Sequence, residues 1–302
     1  PLRLVGSEMC IRDRFSTGSP TLQVLYTVSG EKAFPHMPAT GVSGIDLYAR
    51  SSNGPWLWSA GRFSFKDTIS YTFESLTSDS NRVYTLYFPL YNQVSWMEIK
   101  VPHGYSLEPL KVNKQKPIVV YGTSIAQGAC ASRPGLSWAA LLGRAMDRPV
   151  VNLGFSGNGR LEPELIDRIA GIDAGVYILD CLPNMTQEPY VTGELRRRLE
   201  KSILALREKR PGTPILLVDH AGLTGESTNP QLKNTYEKAN EILQETYTRF
   251  KKEGIQNIYL LKKKQLGQDI ETMVDGIHPN DMGMVLYAKA YAEVIRRIFK
   301  HQ

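Results

Sequence analysis

Cysteine is scarce: the 302-residue chain has three, Cys10, Cys130 and Cys181. They show no CxxC spacing and no histidine lies near them in sequence, so neither a zinc framework nor a disulfide-stapled fold is expected, and the redox compartment stays open. Cys181 stands among apolar neighbours and reads as a small buried hydrophobe rather than a nucleophile. The five histidines are isolated from one another, without an HExxH pair or a carboxylate cluster, so no metal or other cofactor is expected. No window reaches the roughly 18 uninterrupted apolar residues that a membrane-spanning helix needs. The net charge of +6 is spread along the chain. Its densest runs, Arg196-Arg197-Arg198 and Lys262-Lys263-Lys264, carry no interleaved aromatics, so they read as solvated surface and not as a nucleic-acid footprint.

The first fourteen residues, PLRLVGSEMCIRDR, have neither a sustained apolar core for a signal peptide nor the pattern of a strand. Residues 1–14 are therefore expected to be a non-native leader, SEMCIRDR having the look of translated sequencing-adapter read-through. With the native start expected to be missing, the sequence leaves the compartment open. A secreted or periplasmic protein would have carried its signal upstream.

What is present falls into two halves with different periods. From residue 15 to 110, short β-branched and aromatic runs (Leu22 to Val28, Arg62 to Phe65, Thr68 to Phe73, Val83 to Phe88) alternate with turn clusters such as SSNGP and TSDSN, the signature of a β-sandwich. Trp56, Trp58 and Tyr48 could stack on sugars, but aromatics in a small sandwich are expected in its core. A polar linker spans 111–116. From 117 to 302, apolar strands (Pro117 to Tyr121, Pro149 to Leu153, Val176 to Asp180, Pro214 to Val218, Ile255 to Leu261) alternate with helical periods near Ser137 to Met146, Glu162 to Ala170, Gly193 to Arg210, Gln231 to Lys252 and Asp281 to Phe299. Such alternation predicts a five-stranded parallel sheet covered on both faces, an α/β/α sandwich with its chemistry beyond the carboxyl ends of the strands.

The turn after the first of these strands, GTSIAQG at 122–128, resembles a phosphate loop only in outline. It lacks the lysine of a Walker A motif, and Ser124 stands where a dinucleotide fingerprint needs its second glycine. The strand ends together present something else: Ser124; Ser156-Gly157; Asn184; Asp219-His220; and Asp275-Gly-Ile-His278 after the fifth. A serine hydroxyl becomes a nucleophile when a base takes its proton and a third group orients the base, and a carboxylate three residues before a histidine can do the orienting.

These blocks resemble the SGNH or GDSL-type serine hydrolases: GTS at 122–124, NLGFSGNG at 152–159, DCLPN at 180–184 and DGIHP at 275–279, covering residues 115–302. The stretch Gly44-Ile-Asp-Leu-Tyr48 is similar to the GxDLY signature of a subgroup with an N-terminal β domain. The resemblance implies a flavodoxin-like SGNH fold in which Ser124 is the nucleophile, His278 its base and Asp275 the orienter. It further implies an oxyanion hole made of the N–H groups of Ser124 and Gly157 with the side-chain amide of Asn184. Thr123 replaces the aspartate of GDS, and Leu182-Pro183-Asn184-Met185 replaces GxND, leaving the family's supporting hydrogen bonds to be remade.

Other assignments compete. Ser124 could instead be a helix N-cap. Ser156, in Gly154-Phe-Ser-Gly-Asn158, misses the G-x-S-x-G elbow by one residue. His220 beside Asp219 is a candidate substrate contact or alternative base, and His36, in FPHMPATG, a candidate substrate contact from the β domain. The expected activity is hydrolysis of small acyl esters, acetyl first among them, on small-molecule or carbohydrate alcohols. Lysophospholipase or thioesterase activity is the alternative within the fold, and a catalytically weak carbohydrate-binding protein the alternative outside enzymology. Oligomeric state is not readable.

Overall fold

Alternation of period two builds the first half. The computed structural model describes residues 2–3, 12–51, 54–77, 82–110 and 115–300. The chain divides into two compact units, residues 1–113 with 131–136, and residues 114–130 with 137–302. Among the described residues the first unit has ten strands: β1 (Leu2–Arg3), β2 (Arg12–Ser16), β3 (Leu22–Val28), β4 (Asp46–Arg50), β5 (Leu57–Ser59), β6 (Arg62–Phe65), β7 (Ile69–Phe73), β8 (Val83–Tyr87), β9 (Val94–Lys100) and β10 (Glu108–Pro109). They form two antiparallel sheets in the orders β1-β9-β3-β7-β6 and β10-β2-β8-β4-β5. Along β3, Leu22, Val24 and Tyr26 are buried while Gln23 and Leu25 are not, so one face of the strand enters the core. That core takes Leu22, Val24 and Tyr26 from one sheet and Leu47, Ala49, Tyr84 and Leu86 from the other. It is the sandwich the pattern implied.

Two expectations for this half are corrected. Leu2–Arg3 and Arg12–Arg14 lie in strands, Arg12 pairing with Tyr87 and Arg14 with Thr85, although the stretch was expected to be non-strand. Residue 1 and residues 4–11 lie outside the described residues, as do Cys10 and most of the expected linker, 111–114. Trp58 is not core: it is 50% exposed on the edge strand β5, whereas Tyr48 is buried.

Trp58 is outside because it belongs to a polar clamp. The Asp46 carboxylate accepts the Trp58 indole N–H at 3.0 Å, the Gly135 N–H at 2.7 Å and Arg133 Nη1 at 2.9 Å. Arg133 also donates to Tyr48 Oη at 2.8 Å and lies 4.2 Å from the Trp58 ring centroid. A buried carboxylate is tolerated when its lone pairs are filled in this way. The GxDLY stretch thus divides its labour between core, through Leu47, and clamp, through Asp46 and Tyr48. The clamp explains why residues 131–136 group with this unit.

In the second unit, β11 (Ile118–Gly122), β12 (Val150–Gly154), β13 (Val176–Asp180), β14 (Ile215–Val218) and β15 (Ile258–Leu261) form one parallel sheet in the order β12-β11-β13-β14-β15. Its central strands are buried along their whole length, as apolar runs without alternation require. With α1 (Ala39–Val42) in the first unit, the helices here are α2 (Ser124–Gln127), α3 (Trp138–Met146), α4 (Pro163–Ala170), α5 (Leu195–Lys209), α6 (Gln231–Lys252), α7 (Lys263–Leu266) and α8 (Asp281–Lys300). The apolar stripes of α4, α5 and α6 cover Val119, Tyr121, Tyr177, Leu179, Ile215 and Leu217 on one face. On the other, Trp138 of α3 stacks on Tyr291 of α8 with centroids 4.3 Å apart. The strand order reverses direction at β11, which places a crevice at that strand's carboxyl end.

Candidate active site

Beyond β11 the chain turns at once into the four-residue helix α2. Its N-cap is Thr123, fully buried, whose Oγ1 accepts the Ile125 N–H at 3.4 Å. The capping role open to Ser124 therefore falls to its neighbour. Ser124 becomes the first helical residue, with an N–H that has no intrahelical acceptor and a hydroxyl free of the backbone. That hydroxyl lies 2.8 Å from His278 Nε2.

The histidine is aimed by its own turn. Asp275 Oδ1 accepts the N–H groups of Ile277 (3.1 Å) and His278 (2.8 Å), closing an Asx turn that swings the imidazole back onto the carboxylate. Asp275 Oδ2 is 2.7 Å from His278 Nδ1. With the hydrogen on Nδ1, the Nε2 lone pair faces Ser124. Burial pulls the Asp275 carboxyl upward, but the N–H and ring bonds from His278 and the Ile277 N–H outweigh it and hold the group below the usual carboxylate range. The turn is fixed on its other side by the Thr224 N–H donating to the Gly276 carbonyl at 3.1 Å.

Gly157 sits in the loop between β12 and α4 at φ +69°, a left-handed conformation in which a side chain is strained. Two residues on, the backbone passes so close to β11 that a Cβ at Gly159 would meet the Gly122 carbonyl oxygen at 2.1 Å. Asn184, in the turn after β13, donates one amide hydrogen to the Asn158 carbonyl at 2.5 Å and keeps the other. This bond ties the Gly157 and Asn184 loops together. Nothing in the residue pattern signals it, because a backbone carbonyl leaves no trace in residue type.

The other candidates each have local surroundings of their own. Ser156 is exposed, and its N–H goes to Gln127 Oε1 at 2.9 Å. His220 is 4% exposed, so it offers a substrate little surface. Its Nδ1 accepts the Gly222 N–H at 2.9 Å and its ring stacks on Tyr236 with centroids 5.0 Å apart. Asp219 does not serve it, bonding instead to Gln244 and to the Lys263 N–H. His36 lies exposed in the turn bridged by Phe34 and Met37. Cys181 is buried, its thiol pushed up by burial and by Asp180. Cys130 Sγ lies within 4.8 Å of the Asp275 and His278 donor atoms, but burial and then Asp275 push the thiol up to about 12, and a neutral thiol is a poor ligand and a poor nucleophile.

Two buried groups near the strand ends oppose each other in pH. Burial, with Lys263 assisting, lowers His220 to about 4, so its contribution to stability is present above the unfolded histidine value and is lost as pH falls from about 6.5 through 4. Burial raises Asp180 to about 6, partly offset by the Tyr291 hydroxyl at 2.9 Å, so its contribution is present at low pH and is lost as pH rises through 6. Across the shared interval the two slopes have opposite sign. Asp180→Asn should therefore make the unfolding midpoint rise more steeply between pH 4 and 6 than in the parent, and His220→Phe should tilt it the other way. Parallel profiles in urea melts at pH 4, 5 and 6 would reject the pairing.

Comparison with known proteins identifies the family. Residues 115–296 match the model of the GDSL-like lipase/acylhydrolase family, and residues 7–107 match the N-terminal domain of SGNH-hydrolase-type esterases that bears the GxDLY motif. A Bacteroides ovatus ATCC 8483 protein described as a GDSL-like lipase superposes with a TM-score of 0.87 at 32% identity, over 96% of this chain and 84% of its own. The chain belongs to the GDSL/SGNH hydrolase family, a family of esterases and acylhydrolases, and carries the GxDLY domain of its subgroup. The salicylyl-acyltransferase SsfX3 of a tetracycline biosynthetic pathway shares the fold at TM-score 0.73 and 21% identity, over 95% of this chain and 82% of its own. So does a family two carbohydrate esterase from Clostridium thermocellum, solved with cellohexaose, at 0.66 and 15%, over 96% and 92%. No curated protein matches by sequence. Among the described residues, no helix is long and apolar enough to cross a membrane.

Proposed function

We propose that this protein is a serine esterase that removes small acyl groups, acetyl first among them, through an acyl-enzyme on Ser124. The observation that carries the proposal is the unbroken chain from Asp275 Oδ2 to His278 Nδ1 at 2.7 Å and from His278 Nε2 to Ser124 Oγ at 2.8 Å. His278 takes the hydroxyl proton as Ser124 attacks the ester carbonyl, and the resulting oxyanion turns toward the N–H groups of Ser124 and Gly157 and the second amide hydrogen of Asn184. The intermediate collapses as His278 returns the proton to the departing alcohol, and a water activated by the same imidazole releases the acid.

Carbohydrate esters are the preferred class because carbohydrate esterases stand among the fold neighbours and because Trp58 is half-exposed. Hydrolysis of acetylated sugars set beside p-nitrophenyl esters of increasing chain length tests the acyl and alcohol preferences directly. A rate that climbs with acyl length would favour the lysophospholipase or thioesterase alternative. A folded sample that a fluorophosphonate does not label would favour the binding protein.

Asn184→Ala should lower kcat by about 10²-fold or more with little change in KM, since the amide serves the oxyanion and not the ground-state carbonyl. An unchanged kcat would remove Asn184 from the mechanism.

A further inference from the structure

The loops that carry Gly157 and Asn184 are joined a second time, by Arg160 and Tyr190. The Arg160 guanidinium lies over the Tyr190 ring, 6.0 Å from its centroid, with Arg198 at 5.6 Å from the same ring. Arg160 Nε is buried without a hydrogen-bond partner. Among the described residues, no carboxylate pairs with this guanidinium. Glu162, two residues on, accepts the Tyr121 hydroxyl and the backbone N–H of Arg160. Glu194 is taken by Arg197 and Arg198, whose hydrogen bonds hold its carboxyl down at about 2. The backbone of Arg160 is itself fixed at both ends, its carbonyl accepting Arg198 Nη1 at 2.8 Å. What is left is a half-buried, permanently charged fork, held by its neighbours and lacking a counter-ion, three residues from Gly157.

A cation taken partly out of water without an acceptor is costly unless something else supplies the acceptor, and guanidinium matches a carboxylate bidentately. We propose that Arg160, stacked on Tyr190, forms an anion-binding subsite that receives a carboxylate carried by the ester substrate. The inference rests on the esterase reading above and narrows its substrate class to esters that keep a free carboxylate, such as O-acylated uronates or hydroxybenzoates.

Two matched pairs of esters test it. One, 4-acetoxybenzoate against 4-acetoxybenzamide, carries the charge on the alcohol; the other, p-nitrophenyl hydrogen succinate against p-nitrophenyl butyrate, carries it on the acyl group. In one pair or both, kcat/KM should favour the acid over its neutral partner by about tenfold or more, and the ratio should shrink with added salt. Arg160→Gln should bring the ratio near one, and Arg160→Lys should restore part of it, whatever happens to the rate on the neutral ester. Ratios near one in both pairs for the parent enzyme, or a preference that survives Arg160→Gln, would overturn the subsite. Absence of turnover of all four esters by the parent enzyme would instead overturn the esterase reading, so the two failures are distinct.

Discussion

Ser124→Ala should lower kcat for ester hydrolysis by about 10⁵- to 10⁶-fold and abolish labelling by a fluorophosphonate, while the protein unfolds at the same temperature as its parent. The size follows from the wiring. Among the described residues Ser124 Oγ has a single hydrogen-bond partner, His278 Nε2, and the helix cap open to a serine is made by Thr123. Removing the hydroxyl therefore costs the fold nothing that Thr123 does not already provide. It does leave His278 with no proton to take. The residual rate comes from the oxyanion donors acting on water attack, so a loss of less than about 10²-fold would mean that some other group is the nucleophile. Ser156 is the one to examine in that case, since it is exposed near the same edge of the sheet.

Much of the second unit could be read before the structure because its strands are short apolar runs between strongly periodic helices. The helix over Gln231–Lys252 falls where the pattern put it, and the strand over Val176–Asp180 likewise. Helix α2 has only four residues, too short for a period to show, so the transfer of the cap to Thr123 was hidden. In the first unit β4 was not foreseen although it contains the GxDLY motif itself. Asp46 breaks its apolar alternation, and only the clamp with Arg133, 87 residues away, explains a carboxylate on the inside. Trp58 was misplaced for the same reason, the cation over its ring, Arg133, being distant in sequence. At the site, side chains with their own chemistry were legible by spacing. Groups that act through the backbone, such as the Asn158 carbonyl, or through a missing partner, such as Arg160, were not.

The largest effect expected away from Ser124 belongs to Asp275. Asp275→Asn should lower kcat by about 10⁴-fold near neutral pH with KM little changed, although only one oxygen is replaced by an NH₂ group. The aspartate makes two kinds of bond: Oδ1 accepts the N–H groups of Ile277 and His278, and Oδ2 faces His278 Nδ1. An asparagine keeps the first by turning its carbonyl oxygen toward the two backbone donors, which preserves the Asx turn and the place of the ring. Its NH₂ then faces Nδ1, where it can only donate. The imidazole answers by moving its hydrogen to Nε2, and an Nε2–H cannot accept the Ser124 proton. Geometry survives and the tautomer is wrong. The same substitution also removes an acid-sensitive contribution to stability. Because the folded carboxyl is held below its ordinary value, that contribution is present above the unfolded aspartate range and is lost as pH falls through the folded one, so the variant should lose less stability than its parent between neutral pH and pH 3. A variant that keeps kcat within tenfold of the parent would show that the ring is held by something other than Asp275, and would reduce the Asp275–His278 bond to a feature of the turn.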